Sequence, residues 1–65
     1  MAAWYPAGTI IVFATASHFI TSINRTLEDA FEAIAAENFS HHHYTIYRAT
    51  ADEHLEFICR ITDQK

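Results

Sequence analysis

The stretch from Thr26 to Asn38, TLEDAFEAIAAEN, constrains this chain more than any other. Leu27, Ala30, Phe31, Ile34 and Ala35 recur at the three- and four-residue spacing that stacks side chains along one side of an α-helix. Thr26 stands at the N-cap position, where its hydroxyl can accept a bond from a backbone N–H that the helix itself leaves orphaned. Asp29, three residues on, offers a weak form of the capping-box return bond. Asn38 is a fair C-terminal residue, and Phe39 just beyond it can fold back onto the apolar side. Glu28, Asp29, Glu32 and Glu37 fall on the other side, and no Lys or Arg stands between Thr26 and Tyr47 to pair with them. One short helix with an acidic back needs cover along its apolar stripe, so the rest of the chain has to supply a sheet.

The strands are sought on both sides of that helix. Thr9 to Ile23 carries no Asp, Glu, Lys or Arg, and its Ile, Val, Phe and Thr content favours strand. The alternation changes phase, with Ile10, Val12 and Ala14 in one set and Phe19, Thr21 and Ile23 in the other. A long strand bulged at Ala16-Ser17-His18 is expected, or in its place two short strands with a tight bend. Tyr44 to Thr50 and Leu55 to Thr62 read as a hairpin turning at Ala51 to His54. Leu55, Phe57, Cys59 and Ile61 form the set expected to meet the helix. A turn centred on Asp52-Glu53 would set Ile46 opposite Cys59, Tyr44 opposite Ile61, Tyr47 opposite Ile58, and Arg48 on the core side across from Phe57. The expected architecture is therefore α+β, β-α-β-β, with one amphipathic helix on one face of a three-stranded antiparallel sheet in the order first–third–second.

Size sharpens what this sheet must do. Sixty-five residues are expected to form one domain, 1–65, that buries only about 60% of its unfolded surface. Cys59 is the sole cysteine, so no disulfide can form within the chain. A partner subunit, a metal or good packing has to compensate. One helix covers one face, leaving Tyr47, Ile58 and one phase of the first strand, Ile11 and Phe13, on the other. Apolar residues on an uncovered sheet face read as an oligomer interface, unless Trp4 and Tyr5 fold over them. Trp4 is expected to cap one end of the core.

The charge balance is acidic, −4 with histidines neutral. Direct nucleic-acid binding is not expected, because Arg25, Arg48, Arg60 and Lys65 are scattered rather than clustered. Thr9 to Ile20 is too short and too interrupted to span a membrane, and no basic stretch precedes an apolar run as in a secretory signal. A cytoplasmic protein is expected.

No set of residues makes a catalytic signature, and neither an enzyme nor a cofactor is expected. His41-His42-His43, with His18 or His54 nearby, offers imidazoles for a metal ion, but the spacing fits no structural zinc pattern. A solvated loop, or a contact sensitive to mild acid, are the alternatives. Cys59 lies mid-strand on the core phase, where a thiol is inert. Ser17 beside His18 lacks a third orienting group, and Glu28 with Glu32 faces water rather than a cleft. The acids themselves carry more. Glu28, Asp29, Glu32 and Glu37 on the helix, with Asp52, Glu53 and Glu56 around the hairpin turn, form either a solvated face or a docking surface for Lys and Arg on a partner.

The run from Phe19 to Ile34, FITSINRTLEDAFEAI, passes from strand into capped helix, and the hairpin follows. In this layout, over Phe19 to Thr62, the chain resembles tiny phage-encoded proteins, the anti-CRISPR proteins among them. The resemblance implies a non-enzymatic inhibitor in a host-cell cytoplasm that docks an acidic surface on a basic, nucleic-acid-binding site of a larger complex. It assigns no individual residue. A structural homo-oligomer, using the open sheet face as its interface, is the alternative.

Overall fold

The computed structural model describes residues 5–62. Its elements run β1 (Ile10–Ala14), β2 (Ile20–Asn24), α1 (Leu27–Ala36), β3 (His43–Ala49) and β4 (Leu55–Thr62). The fold is α+β, one helix on a four-stranded antiparallel sheet in the order β2-β1-β3-β4. Two expectations are thereby corrected: the sheet has four strands rather than three, and the last strand lies at an edge rather than in the centre.

The first correction has a simple cause. The phase change at Ala16–His18 is a reversal of the chain, not a bulge. Ala14 N–H donates to the Phe19 carbonyl (2.8 Å) and His18 N–H to that of Ala14 (2.8 Å). His18 takes a left-handed backbone, φ 61°. A single strand of fifteen residues would also exceed the roughly 3–10 residues strands commonly reach. The second correction follows from burial. Every residue of Ile10–Ala14 is apolar and all but Phe13 are buried, as suits a strand with neighbours on both edges, whereas no residue of β4 is fully buried. With β1 inserted between them, β2 and β3 run parallel and α1 makes the crossover.

Both edge strands carry an extra residue. Val12 pairs with Ser22 and Phe13 with Ile20, so Thr21 is bulged, and its hydroxyl donates to the Val12 carbonyl at 3.3 Å. Ile46 pairs with Cys59 and Tyr47 with Phe57, so Ile58 is bulged. Such irregularities blunt the unpaired edges of an open sheet. The bulge splits the register expected for the hairpin. Tyr44 opposite Ile61 and Ile46 opposite Cys59 hold, but Tyr47 meets Phe57 instead of Ile58, and Arg48 meets Glu56 instead of Phe57.

The helix begins as its cap dictates: Thr26 is extended (φ −131°, ψ 159°) and its hydroxyl accepts the Asp29 N–H at 3.1 Å. It ends in a Schellman arrangement, Phe39 N–H to the Ile34 carbonyl (3.3 Å) and Asn38 N–H to that of Ala35 (2.9 Å), with Asn38 left-handed. That turn swings Phe39 back onto the core. There Ile10, Val12, Ala30, Ile34, Tyr44 and Ile46 are buried together, with Leu27, Phe39, Ile58, Cys59 and Ile61 partly buried against them. Phe31 and Ala35, expected on the same stripe, sit at its exposed border. No helix among the described residues is long and apolar enough to cross a membrane. Trp4 lies outside the described residues.

Candidate interaction surfaces

The acids divide into two kinds. Glu37 closes the helix as its C-cap, and its carboxylate accepts the Tyr44 hydroxyl at 3.2 Å and that of Ser40 at 3.4 Å. The same Tyr44 oxygen accepts the His41 N–H at 3.2 Å, so Glu37 holds a buried ring and the loop after the helix in place. Glu56 is bound by Arg48, Nη2 to Oε1 at 2.7 Å and Nε to Oε1 at 3.1 Å. Expected among the docking acids, these two are engaged within the chain. Arg48 leans from the core side to the sheet end, where aliphatic stem and charged head can part company.

Glu28, Asp29, Glu32, Asp52 and Glu53 are exposed, and their carboxylates make no hydrogen bond or ion pair among the described residues. Topology brings four of them to one end. Ile10 pairs with Asn24 on one side and Arg48 on the other, so the start of α1 and the β3–β4 turn project from the same end of the sheet. Glu28 and Asp29 lie in the first turn of the helix, where its dipole favours negative charge. Asp52 and Glu53 sit in a loop closed by Thr50, whose N–H donates to the His54 carbonyl at 2.9 Å and whose hydroxyl accepts the His54 N–H at 3.2 Å. Glu53 is left-handed (φ 63°), the conformation the last residue of a three-residue hairpin loop requires.

The second surface is the sheet face opposite the helix. Register places Ile20 and Ile23 of β2, Ile11 and Phe13 of β1, Thr45 and Tyr47 of β3, and Leu55, Phe57 and Arg60 of β4 on it. Three rings run across it edge to face: Phe13 to Tyr47 at 5.4 Å between centroids and 88° between planes, then Tyr47 to Phe57 at 6.0 Å and 75°. Phe57 remains 55% exposed, Ile23 52% and Ile20 44%, while Ile11 is wholly buried. Ile58, expected here beside Tyr47, packs against the helix-side core, and Phe57, expected in the core, takes its place. The signal was the unbroken run Phe57-Ile58-Cys59, where strict alternation fails. Arg60 and the Thr15–Thr45 hydroxyl pair, 2.7 Å apart, belong to this face and were not singled out from the sequence.

The histidines have local roles. The His41 ring packs edge-on to Tyr44 (5.8 Å), and His43 Nδ1 lies 3.4 Å from the Thr62 hydroxyl. No group of three His, Cys, Asp or Glu side chains converges among the described residues. Cys59 is a free, half-buried thiol against the core. No protein-family model matches the chain, and no curated protein and no solved structure matches it significantly.

Proposed function

We propose that this chain is a non-enzymatic binding module, of the anti-CRISPR type it resembles, that docks its acidic end on a basic, nucleic-acid-binding surface of a larger cytoplasmic protein or complex. The observation that carries the reading is the set of five exposed carboxylates without counter-ions among the described residues, four of them at one end of the sheet. Like charges at three- and four-residue spacing on α1 cost the free protein a few tenths of a kcal/mol each. A partner's Lys and Arg would return that and steer the encounter. Glu37 and Glu56 are outside this surface, since Tyr44 and Arg48 already engage them.

The test is capture from a bacterial lysate with the protein and with its Glu28→Lys, Asp29→Lys, Glu32→Lys variant. Partner capture is expected to be lost in the variant and to weaken with salt for the parent. Capture that survives charge reversal refutes the acidic docking surface. The exposure of Ile20, Ile23 and Phe57 favours a second reading, self-association through the open sheet face. Light scattering across micromolar concentrations separates the two, because a strict monomer removes the second.

A further inference from the structure

The open sheet face is not evenly apolar. Phe13, Tyr47, Phe57, Thr15, Thr45 and Arg60 line a groove of about 410 Å³ on it. That volume lies within the roughly 300–1,000 Å³ of small-molecule sites, which pair apolar walls with a few polar groups. We propose that this groove binds a small aromatic carboxylate.

Each part of the ligand answers to a feature of the groove. The aryl group meets the ring ladder, where Tyr47 stands edge-on between Phe13 and Phe57 and Phe57 turns more than half its surface outward. Rings added to such a ladder gain edge-to-face contact beyond simple burial. The carboxylate meets Arg60, whose guanidinium makes no hydrogen bond or ion pair among the described residues and whose planar fork matches a carboxylate's two oxygens. A further donor comes from the threonines. Thr45 is only 6% exposed, and its hydroxyl and that of Thr15 share one hydrogen between them, so the second hydrogen of the pair is free to be donated.

Charge selects among occupants. One guanidinium balances one anionic group, whereas a nucleic-acid strand brings a row of phosphates to a chain of net charge −4. A second copy of the chain seated here would bury Arg60 against a face on which the groove supplies no carboxylate, and an unpaired buried charge is costly. Self-association therefore fits the Ile20 and Ile23 side of the face better than this one.

The experiment is a titration of the full chain, followed by backbone amide NMR, with 3-phenylpropionate and indole-3-acetate and with their neutral amides. Saturable shifts are expected at Thr15, Thr45, Tyr47, Phe57 and Arg60, with Kd roughly 0.1–1 mM for ligands of this size. Each acid should bind about 1.5- to fivefold tighter than its amide, the range an exposed charge pair supports. Arg60→Gln should erase that preference and leave amide binding unchanged, and Phe57→Ala should weaken both. Absence of saturation, equal affinity for acid and amide in the parent protein, or unaltered binding by Phe57→Ala each overturns the proposal. The acid–amide comparison needs no variant, so a misfolded substitution cannot hide the result. The Glu28→Lys, Asp29→Lys, Glu32→Lys protein should bind these ligands as the parent does, so the groove and the acidic docking surface fail separately.

Discussion

The two sides of the sheet are composed of similar residues and end in different states. On the helix side Ile10, Val12, Tyr44 and Ile46 are packed in one buried cluster with Ala30 and Ile34, and the Tyr44 hydroxyl within it has both a donor and an acceptor. On the other side Phe13, Tyr47 and Phe57 make a ladder of rings whose last member stands open. Composition does not distinguish the sides. A ten-residue helix about 15 Å long does, because it reaches across one side only. The open side is buried at its base, at Ile11 and Thr45, and exposed at its rim, at Ile20, Ile23 and Phe57, so those rim side chains contribute less to folding than the covered ones.

The largest expected effect breaks this comparison directly. A domain of this size holds roughly 3–10 kcal/mol in total. Ile46→Ala removes a buried side chain from the middle of the helix-side core and should cost about 2–5 kcal/mol. Phe57→Ala deletes a bulkier side chain on the open side and should cost about 1 kcal/mol, since over half of it already faces water. Urea denaturation of both variants checks the pair. Equal losses would mean that the open face is as integral to the fold as the covered one.

The contrast between the sides was half legible in the sequence. The helix, its Thr26 cap, its end around Glu37 to Asn38 and the return of Phe39 could all be read, because each rests on residues a few positions apart. The pairing of Tyr44 with Ile61 and of Ile46 with Cys59 could be read from alternation. What could not be read depends on long-range competition. Whether β1 or β4 takes the centre depends on which strand needs both edges covered, and β1 advertised this in five consecutive apolar residues. The bulge at Ile58 then moves Phe57 out of the core and Arg48 onto Glu56, a one-residue slip that period-two reasoning cannot anticipate once alternation fails. Of the acids, exposure of the helix back was legible from spacing. The engagement of Glu37 by Tyr44, seven residues on through a left-handed turn, was not.

Tyr44→Phe sharpens the comparison by removing a single atom from the covered side. It leaves the His41 N–H without its partner and the Glu37 carboxylate with the Ser40 hydroxyl alone, at a cost of roughly 1–2 kcal/mol, visible as a lowered denaturation midpoint. Asn38, Phe39 and Glu53 are all left-handed without being glycine. Glu53→Gly relieves that backbone at an exposed turn and should stabilise by about 0.5 kcal/mol, the relief exceeding glycine's extra entropy loss. A loss on this substitution would show that the Glu53 carboxylate, free as it stands, contributes to the hairpin.

The smallest expected effect concerns the pair at the margin of the covered side. Arg48 and Glu56 stand opposite one another at the sheet end, 2.7 Å apart, with side chains 48% and 52% exposed. The geometry is short, yet both groups remain hydrated and both long side chains must be ordered to meet. A double-mutant cycle of Arg48→Gln and Glu56→Gln should therefore give a coupling under about 0.5 kcal/mol at low salt, falling toward zero near 1 M salt. A coupling above about 1 kcal/mol that persists in salt would place the pair within the protected interior. The boundary between the two sides would then lie beyond Glu56, and its carboxylate would be a structural element of the covered side rather than a neighbour of the acidic end.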